Sequence, residues 1–161
     1  MPVSKEELKG HLMKEWGTNE EEALFYASVG GGNIGRAKKL KADNKLDRFV
    51  EVFDGCLRSQ VGRDNGPLMS GIDFFEDQKD DFDEISELFL LYIRDVAAVK
   101  SGYNELYYTK YQERIEQTAG LVPLSAVMRL SERVIGAKEK TEGKANFSLS
   151  IFHMLFGSLE E

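Results

Sequence analysis

Hydrophobic residues recur three and four positions apart along most of the chain, which places them on one face of an α-helix. No segment shows the sustained alternation of apolar and polar residues, bounded by turn residues, that is typical of a strand. Only three prolines interrupt the 161 residues, so long helices are possible. The pattern therefore predicts an all-α protein.

The first 43 residues are predicted to form three short helices. Ser4, with Glu7 three residues later, has the spacing of a capping box. The glycines at 30–32 are typical of a turn that ends one helix before the next begins. The three helices are expected to run from Ser4 to about Trp16, from Glu20 to the glycines at 30–32, and from Ile34 to about Ala42.

Longer helices are predicted after Lys45, and the segment 41–45 is expected to act as a hinge. Residues 88–93 are apolar on every side, so their helix should be central and surrounded by others. The predicted elements are 46–61, a short one at 69–77, 81–100, 111–119, 123–140 with Pro123 in its first turn, and a last helix capped by Asn146.

The apolar spacing also predicts which side chains of the last two helices face the core. In the helix that begins at Pro123, the inward residues are expected to be Leu124, Val127, Met128, Ser131, Val134 and Ile135. In the last helix they are expected to be Phe147, Ile151, Phe152, Leu155, Phe156 and Leu159.

Composition and charge exclude several classes of protein. A hydrophobic content of 42% is too high for an intrinsically disordered chain. The longest apolar run has six residues, far fewer than the roughly 18 of a membrane span. The N-terminus is charged where a secretory signal is apolar, so we expect a cytoplasmic location. A single Cys56 with His11 and His153, all far apart, provides neither a disulfide nor a zinc site.

Two strings resemble nucleotide-binding motifs, but their context argues against that function. Residues 30–35, GGGNIG, match the dinucleotide fingerprint, and 30–37 come close to a phosphate loop. Both motifs need a strand before the glycines, whereas 20–29 are predicted to be helical. The acidic segment 73–87 lacks the spacing and the central glycine of a calcium loop. We therefore expect no cofactor, no metal and no enzymatic activity in this chain.

Three segments resemble one family of replication proteins. Residues 32–37, GNIGRA, open a helix as in the lid subdomain of AAA+ clamp-loader subunits. Residues 88–102, LFLLYIRDVAAVKSG, resemble the Tyr/Trp-x-Arg-Asp helix and following turn of the delta-prime collar of bacterial DNA polymerase III. Residues 146–159, NFSLSIFHMLFGSL, resemble the last helix of that collar. The segments occur in the family's order and together cover essentially the whole chain.

This resemblance implies a lid at 1–43 and an oligomerisation collar at 44–161, without the family's N-terminal ATPase-like domain. Such a subunit is a non-catalytic member of the clamp loader, which loads the sliding clamp on primed DNA. The expected partners are the gamma/tau and delta subunits, with DNA contacted only through the assembled complex and the isolated chain monomeric or weakly self-associating. Arg36, preceded by Gly35, corresponds to the sensor near a bound nucleotide.

Two alternatives to this function stay open from the sequence. A gamma/tau collar is similar, although the Tyr92-Ile93-Arg94-Asp95 signature favours delta-prime. A free-standing helical adaptor that binds a partner peptide is the other. Arg94 and Asp95 either stay buried with partners or point to solvent at the edge of the helix. The residues predicted for a subunit interface are Phe89, Tyr92, Arg94, Asp95, Phe152, His153, Met154 and Phe156.

Overall fold

The computed structural model of the chain describes residues 4–17, 20–29, 35, 45–142 and 146–157. None of these residues lies in a β-strand, so the predicted all-α fold is confirmed. Two single-turn 3₁₀ helices, Lys79–Asp81 and Thr109–Tyr111, precede longer ones. The α-helices that lie within these ranges are α1 (Lys5–Trp16), α2 (Glu20–Val29), α3 (Leu46–Arg58), α4 (Gly66–Asp77), α5 (Phe82–Lys100), α6 (Gln112–Leu121), α7 (Leu124–Glu142) and α8 (Phe147–Phe156).

Two helices begin at the capping residues that the sequence predicts. Ser4 Oγ accepts a hydrogen bond from the Glu7 N–H at 3.1 Å, and Asn146 Oδ1 accepts one from the Leu149 N–H at 3.1 Å. Each side chain satisfies a backbone donor that the first turn of a helix leaves unpaired. α1 ends at Gly17, whose left-handed φ of 61° suits a residue without a Cβ. The predicted starts at Ser4 and Asn146 are confirmed.

Other boundaries differ from the predicted ones by a few residues. α4 begins at Gly66 rather than near Met69, because Pro67 fits the first turn, where no backbone N–H is needed. α3 ends at Arg58, before the apolar spacing stops. Val61, the last residue of that spacing, is 48% exposed after a turn.

α1 and α2 pack against each other and are joined to the remaining helices. Buried side chains of both belong to the same contiguous core as the rest, and the Phe25 ring of α2 lies 5.9 Å from the Tyr111 ring. The predicted third helix at 34–42 lies outside the described residues apart from Gly35, and so do residues 41–44 of the predicted hinge. The division into lid and collar stays a prediction.

α5 is the central helix, and α3, α6 and α7 pack around it. Leu88, Phe89, Tyr92 and Ile93 are all at most 2% exposed, and the other two residues of 88–93 are half-buried. The Phe89 ring stacks on Phe53 of α3, with centroids 4.7 Å apart and planes within 6°. The prediction that this apolar segment is surrounded is confirmed.

α7 buries a different face from the predicted one. Val127 and Val134 face the core as expected, and Ser131 is half-buried. The predicted inward position is wrong for the three larger residues, which are 44–48% exposed: Leu124, Met128 and Ile135. The helix has two apolar stripes, and the one that contains Ala126 and Ala137 is buried, which leaves the larger side chains outside. The buried face consists of Ala126, Val127, Leu130, Val134 and Ala137.

Among the described residues, no helix combines the length and the apolar character needed to cross a membrane.

α4 meets α3 and α8 most closely at Gly71. A Cβ built at this position would lie 2.7 Å from Cys56 Sγ and 3.0 Å from Leu155 Cδ1. Both of those side chains are completely buried, so neither can move aside without displacing other core atoms. The glycine is therefore required by the close approach of three helices.

We expect Gly71→Ala to lower the free energy of unfolding by about 1–3 kcal/mol, because overpacking a dense core forces side chains out of place. This loss outweighs the gain of about 1 kcal/mol in helix propensity. Gly136→Ala is the matched control, since its Cβ would meet nothing within 4 Å, and it should be stabilising. Urea denaturation measures both, and a Gly71→Ala protein as stable as the wild type would contradict the close approach.

Burial also predicts an unreactive thiol at Cys56, because it raises the pKa of this group to about 12. The thiolate is the reactive form, so at mildly alkaline pH the native thiol should react with Ellman's reagent on the order of 1,000-fold more slowly than in the unfolded chain. The absorbance of the released product, followed with and without guanidinium chloride, gives both rates. Equal rates would show that the thiol is accessible.

Candidate subunit interface

Asp95 lies on the central helix α5 and is completely buried. Oδ2 accepts a hydrogen bond from the Tyr108 N–H at 2.8 Å, and Oδ1 accepts one from the Tyr107 N–H at 3.0 Å. Arg94 Nη1 donates to Oδ1 at 3.0 Å. Burial raises the pKa of the Asp95 carboxyl, while these hydrogen bonds act in the opposite direction. The carboxylate therefore fixes two backbone donors that would otherwise be buried without partners.

Arg94 completes this arrangement from the edge of the helix. Its side chain is 48% exposed, its Nη1 also donates to the Glu105 carbonyl at 3.0 Å, and its guanidinium lies 4.9 Å from the centre of the Tyr107 ring. Arg94 and Asp95 together form a clamp that holds residues 105–108 against α5. Asp95 thus stays buried with partners, whereas Arg94 is exposed at the edge of the helix, and the partners of both belong to this chain.

A second buried carboxylate, Asp54, joins three helices. The Tyr92 hydroxyl donates to Asp54 Oδ1 at 2.8 Å, the Thr118 hydroxyl donates to the same oxygen, and Arg58 Nε lies 2.8 Å from Oδ2. Burial, followed by the charge of Asp54, raises the pKa of the Tyr92 phenol. The Tyr92 phenol therefore stays protonated and donates to Asp54. Through Tyr92 and Thr118, the Asp54 carboxylate connects α3 with α5 and α6.

An apolar ridge lies on the outer face of α8. We define the α8 ridge as Leu149, Phe152 and Phe156, which are three and four residues apart and so share one face. Leu149 is 54% exposed and Phe152 is 44% exposed. The Phe152 and Phe156 rings stack with centroids 4.7 Å apart. His153 lies beside the ridge and is also exposed. This is the kind of contiguous apolar surface that marks a contact with another molecule.

The structure separates the eight residues predicted for a subunit interface into two groups. Phe89, Tyr92, Asp95 and Met154 are at most 1% exposed, so their side chains are part of the core and offer no surface to a neighbour. Four remain on the surface: Arg94, Phe152, His153 and the half-buried Phe156. The core position predicted for Phe152 is wrong, because Ile151 and Leu155 already occupy the inner face of α8.

A further exposed apolar stripe was missed by the sequence reasoning. It runs along the outer side of α7 and begins at Leu121, which is 60% exposed at the end of α6. The signal was present in the spacing of positions 124, 128 and 135, which share one face of a helix. The remaining members of the stripe are Leu124, Met128 and Ile135.

The two residues predicted to lie near a nucleotide are only partly covered by the structure. Gly35 is helical and exposed, and Arg36 lies outside the described residues. Over the part of the chain that the structure describes, no three His, Cys, Asp or Glu side chains are grouped in a way that could hold a metal ion.

Comparison with known proteins identifies no protein that is similar to this chain. No protein-family model matches the chain, and neither a curated protein nor a solved structure is significantly similar to it.

The clamp predicts a local and a global effect of Asp95→Ala. Loss of the carboxylate leaves the Tyr107 and Tyr108 N–H groups without their acceptor, so we expect the free energy of unfolding to fall by about 3 kcal/mol. Amide hydrogen exchange at these two positions should also become faster. Urea denaturation and exchange measured by NMR check the two effects.

Asp73→Ala is the control for this substitution. Asp73 is exposed on α4, and a change there is expected to stay within about 0.5 kcal/mol of the wild type. If Asp95→Ala changed stability and exchange no more than Asp73→Ala, the clamp would contribute nothing to the fold.

Proposed function

We propose that this chain is the lid-plus-collar region of a clamp-loader subunit of the delta-prime type. In this proposal it is a non-catalytic component of the DNA polymerase III clamp loader, which loads the sliding clamp on primed DNA. Support comes from the three segments that resemble the family, in the family's order. The all-helical fold agrees with that resemblance.

The observation that carries the proposal is the α8 ridge. It lies within 146–159, one of the three segments that resemble the delta-prime collar, and it presents Leu149 and Phe152 half exposed in an isolated chain. Exposed aromatic residues on a packed helix are typical of the centre of a protein–protein interface. A collar that joins subunits needs such a surface, whereas a self-contained helical domain does not.

The Arg94–Asp95 signature supports the same proposal in a different way. Its contacts hold residues 105–108 against the central helix rather than reaching outward. In a collar, we infer that the signature keeps the bundle rigid, so that the outer helices present a preformed surface to their neighbours.

The expected partners follow from this function. We propose that the chain binds the collars of the gamma/tau and delta subunits, acts in the cytoplasm, and contacts DNA only through the assembled complex. A ring member of this kind meets two different neighbours, so the isolated chain should be monomeric or weakly self-associating. It should neither hydrolyse nor tightly bind ATP, because one sensor-like Arg36 provides no phosphate cradle.

A helical adaptor that binds a partner peptide is the second candidate, and a specific observation favours it. An open groove between α7 and α8 runs beside the ridge and is accessible to an extended or helical segment. A gamma/tau collar would share the architecture of the first proposal and differ in its place in the ring.

The assembly proposal predicts a mixed complex that depends on the α8 ridge. The purified chain should co-migrate with gamma/tau and delta collars of the same organism in gel filtration at micromolar concentration. Phe152→Ala should weaken that complex by about 2 kcal/mol, roughly 30-fold in Kd, because it removes an exposed aromatic anchor. The thermal unfolding midpoint of the isolated Phe152→Ala chain should stay close to that of the wild-type chain.

Met69→Ala is the matched control for Phe152→Ala. Met69 is 54% exposed on α4, on the opposite side of that helix from Gly71, where α4 meets α8, so its removal should leave the Kd unchanged. Equal weakening by both substitutions would mean that the ridge is not the interface. A wild-type chain that fails to co-migrate with either collar would overturn the assembly proposal and favour the adaptor.

A further inference from the structure

A groove with a cavity volume of about 300 Å³ lies between α7 and α8. We call it the α7–α8 groove. Among the described residues that line the groove, three carry a permanent positive charge: Arg129, Arg133 and Lys140. His153 also lines it. Glu132 is the one carboxylate among those lining residues. A surface of positive charge is therefore present on a chain whose formal net charge is −7.

The outer cations of the groove are accessible to a partner. Arg129 and Lys140 are both exposed, and within the described ranges neither forms an ion pair with a carboxylate. They are eleven residues apart on α7, which corresponds to about 16 Å along the helix axis. Two accessible positive charges therefore mark the ends of a track of about three helical turns.

Arg133 lies between them and is fixed by the core. Its Nε donates to the Met154 carbonyl of α8 at 2.9 Å, and its Nη2 donates to Gln60 Oε1 at 2.5 Å. Gln60 is itself held, because its Nε2 donates to the carbonyls of Leu155 and Cys56 at 2.9 and 3.1 Å. A guanidinium held in this way loses little conformational freedom when a ligand binds.

The groove and the α8 ridge form one continuous surface. His153 lines the groove and neighbours Phe152 of the ridge, so polar and apolar contacts are one residue apart on α8. A partner that covers both must carry negative charge beside apolar side chains. An amphipathic helix has this composition when acidic residues flank its apolar face.

We propose that the α7–α8 groove, together with the ridge, binds an acidic amphipathic helix of a neighbouring collar. Asp or Glu side chains of that helix contact Arg129 and Lys140, and its apolar face covers Leu149 and Phe152. Arg129 and Lys140 are eleven residues apart on α7, so the partner helix carries its acids about eleven residues apart, which is three helical turns. This inference rests on the proposed function and specifies the partner's chemistry.

Nucleic acid is the competing occupant of a positively charged groove, and the charge distribution disfavours it. A net charge of −7 repels a phosphate backbone over a distance comparable with the Debye length, about 8–10 Å at physiological salt. The positive track in the groove is short, and Glu132 lies within it. An acidic peptide with its own apolar contacts depends less on a continuous basic surface.

The test is charge reversal in the groove with a matched reversal elsewhere. Arg129→Glu and Lys140→Glu are prepared separately in the full chain, with Arg48→Glu as the control. Arg48 lies near the start of α3, a helix that contributes no described residue to the lining of the groove. Its pairing with Glu51 is exposed and 4.0 Å long, so its loss should matter little for folding.

Binding to purified gamma/tau and delta collars is measured by titration at two salt concentrations. Each groove reversal should raise the Kd for one of the two collars by about tenfold, and the effect should shrink as salt is increased. Arg48→Glu should leave both Kd values within about twofold, and urea denaturation should show that all variants remain folded.

The outcomes separate this inference from the proposed function. If the wild-type chain binds a collar and the groove reversals bind it as tightly, the acidic-helix inference is wrong while the assembly proposal stands. If the wild type binds no collar, both fail. A wild-type chain that binds single-stranded DNA, measured by fluorescence anisotropy, with loss only in the groove variants and unchanged collar binding, would make the groove a nucleic-acid site instead.

Discussion

The enclosure of α5 is the constraint on which the rest of the structure depends. Ten of the 19 residues of α5 are buried under α3, α6 and α7, so each polar group on this buried face needs a partner inside the protein. Tyr92 finds Asp54, and Asp95 finds the backbone of residues 107 and 108. The Tyr108 hydroxyl in turn donates to the Leu88 carbonyl at 2.7 Å. These partners decide how α3, α6 and the loop after α5 are arranged.

This constraint also explains where binding can occur. The buried polar side chains of α3, α5 and α6 satisfy each other, so these groups are not available to an external ligand. The outer helices α7 and α8 carry cations and large apolar side chains beyond what their inner faces need, and both sets face outward. A rigid interior with its chemistry on two peripheral helices is suited to assembly, because a preformed surface binds with little loss of freedom.

The sequence predicted the helices, two caps and the central position of α5, since periodicity and capping chemistry are local properties. It could not predict which of two apolar stripes of α7 faces inward. Val127 and Met128 are neighbours in sequence, and only the packing of α7 against α5 and α8 decides between the stripes. The partners of Asp95 are a similar case. They lie twelve and thirteen residues along the chain, and a loop of that length leaves no periodic signal.

The positively charged α7–α8 groove could not be predicted from local sequence patterns either. Arg129 and Lys140 are visible on one face of α7, but the sequence does not reveal that α8 runs alongside and supplies His153. Nor does it show that Gln60, which follows a distant helix, accepts a hydrogen bond from Arg133. A site made from three separate segments is a property of the tertiary fold.

The contact at Gly71 has a consequence for how relatives of this protein can change over time. Cys56 and Leu155 leave no space for a methyl group there, so a larger residue at 71 becomes tolerable only when one of its two neighbours becomes smaller. Position 71 is therefore expected to co-vary with 56 and 155 in any set of homologous sequences. Such a correlation would link three helices that are far apart along the chain, and would report their packing without a structure.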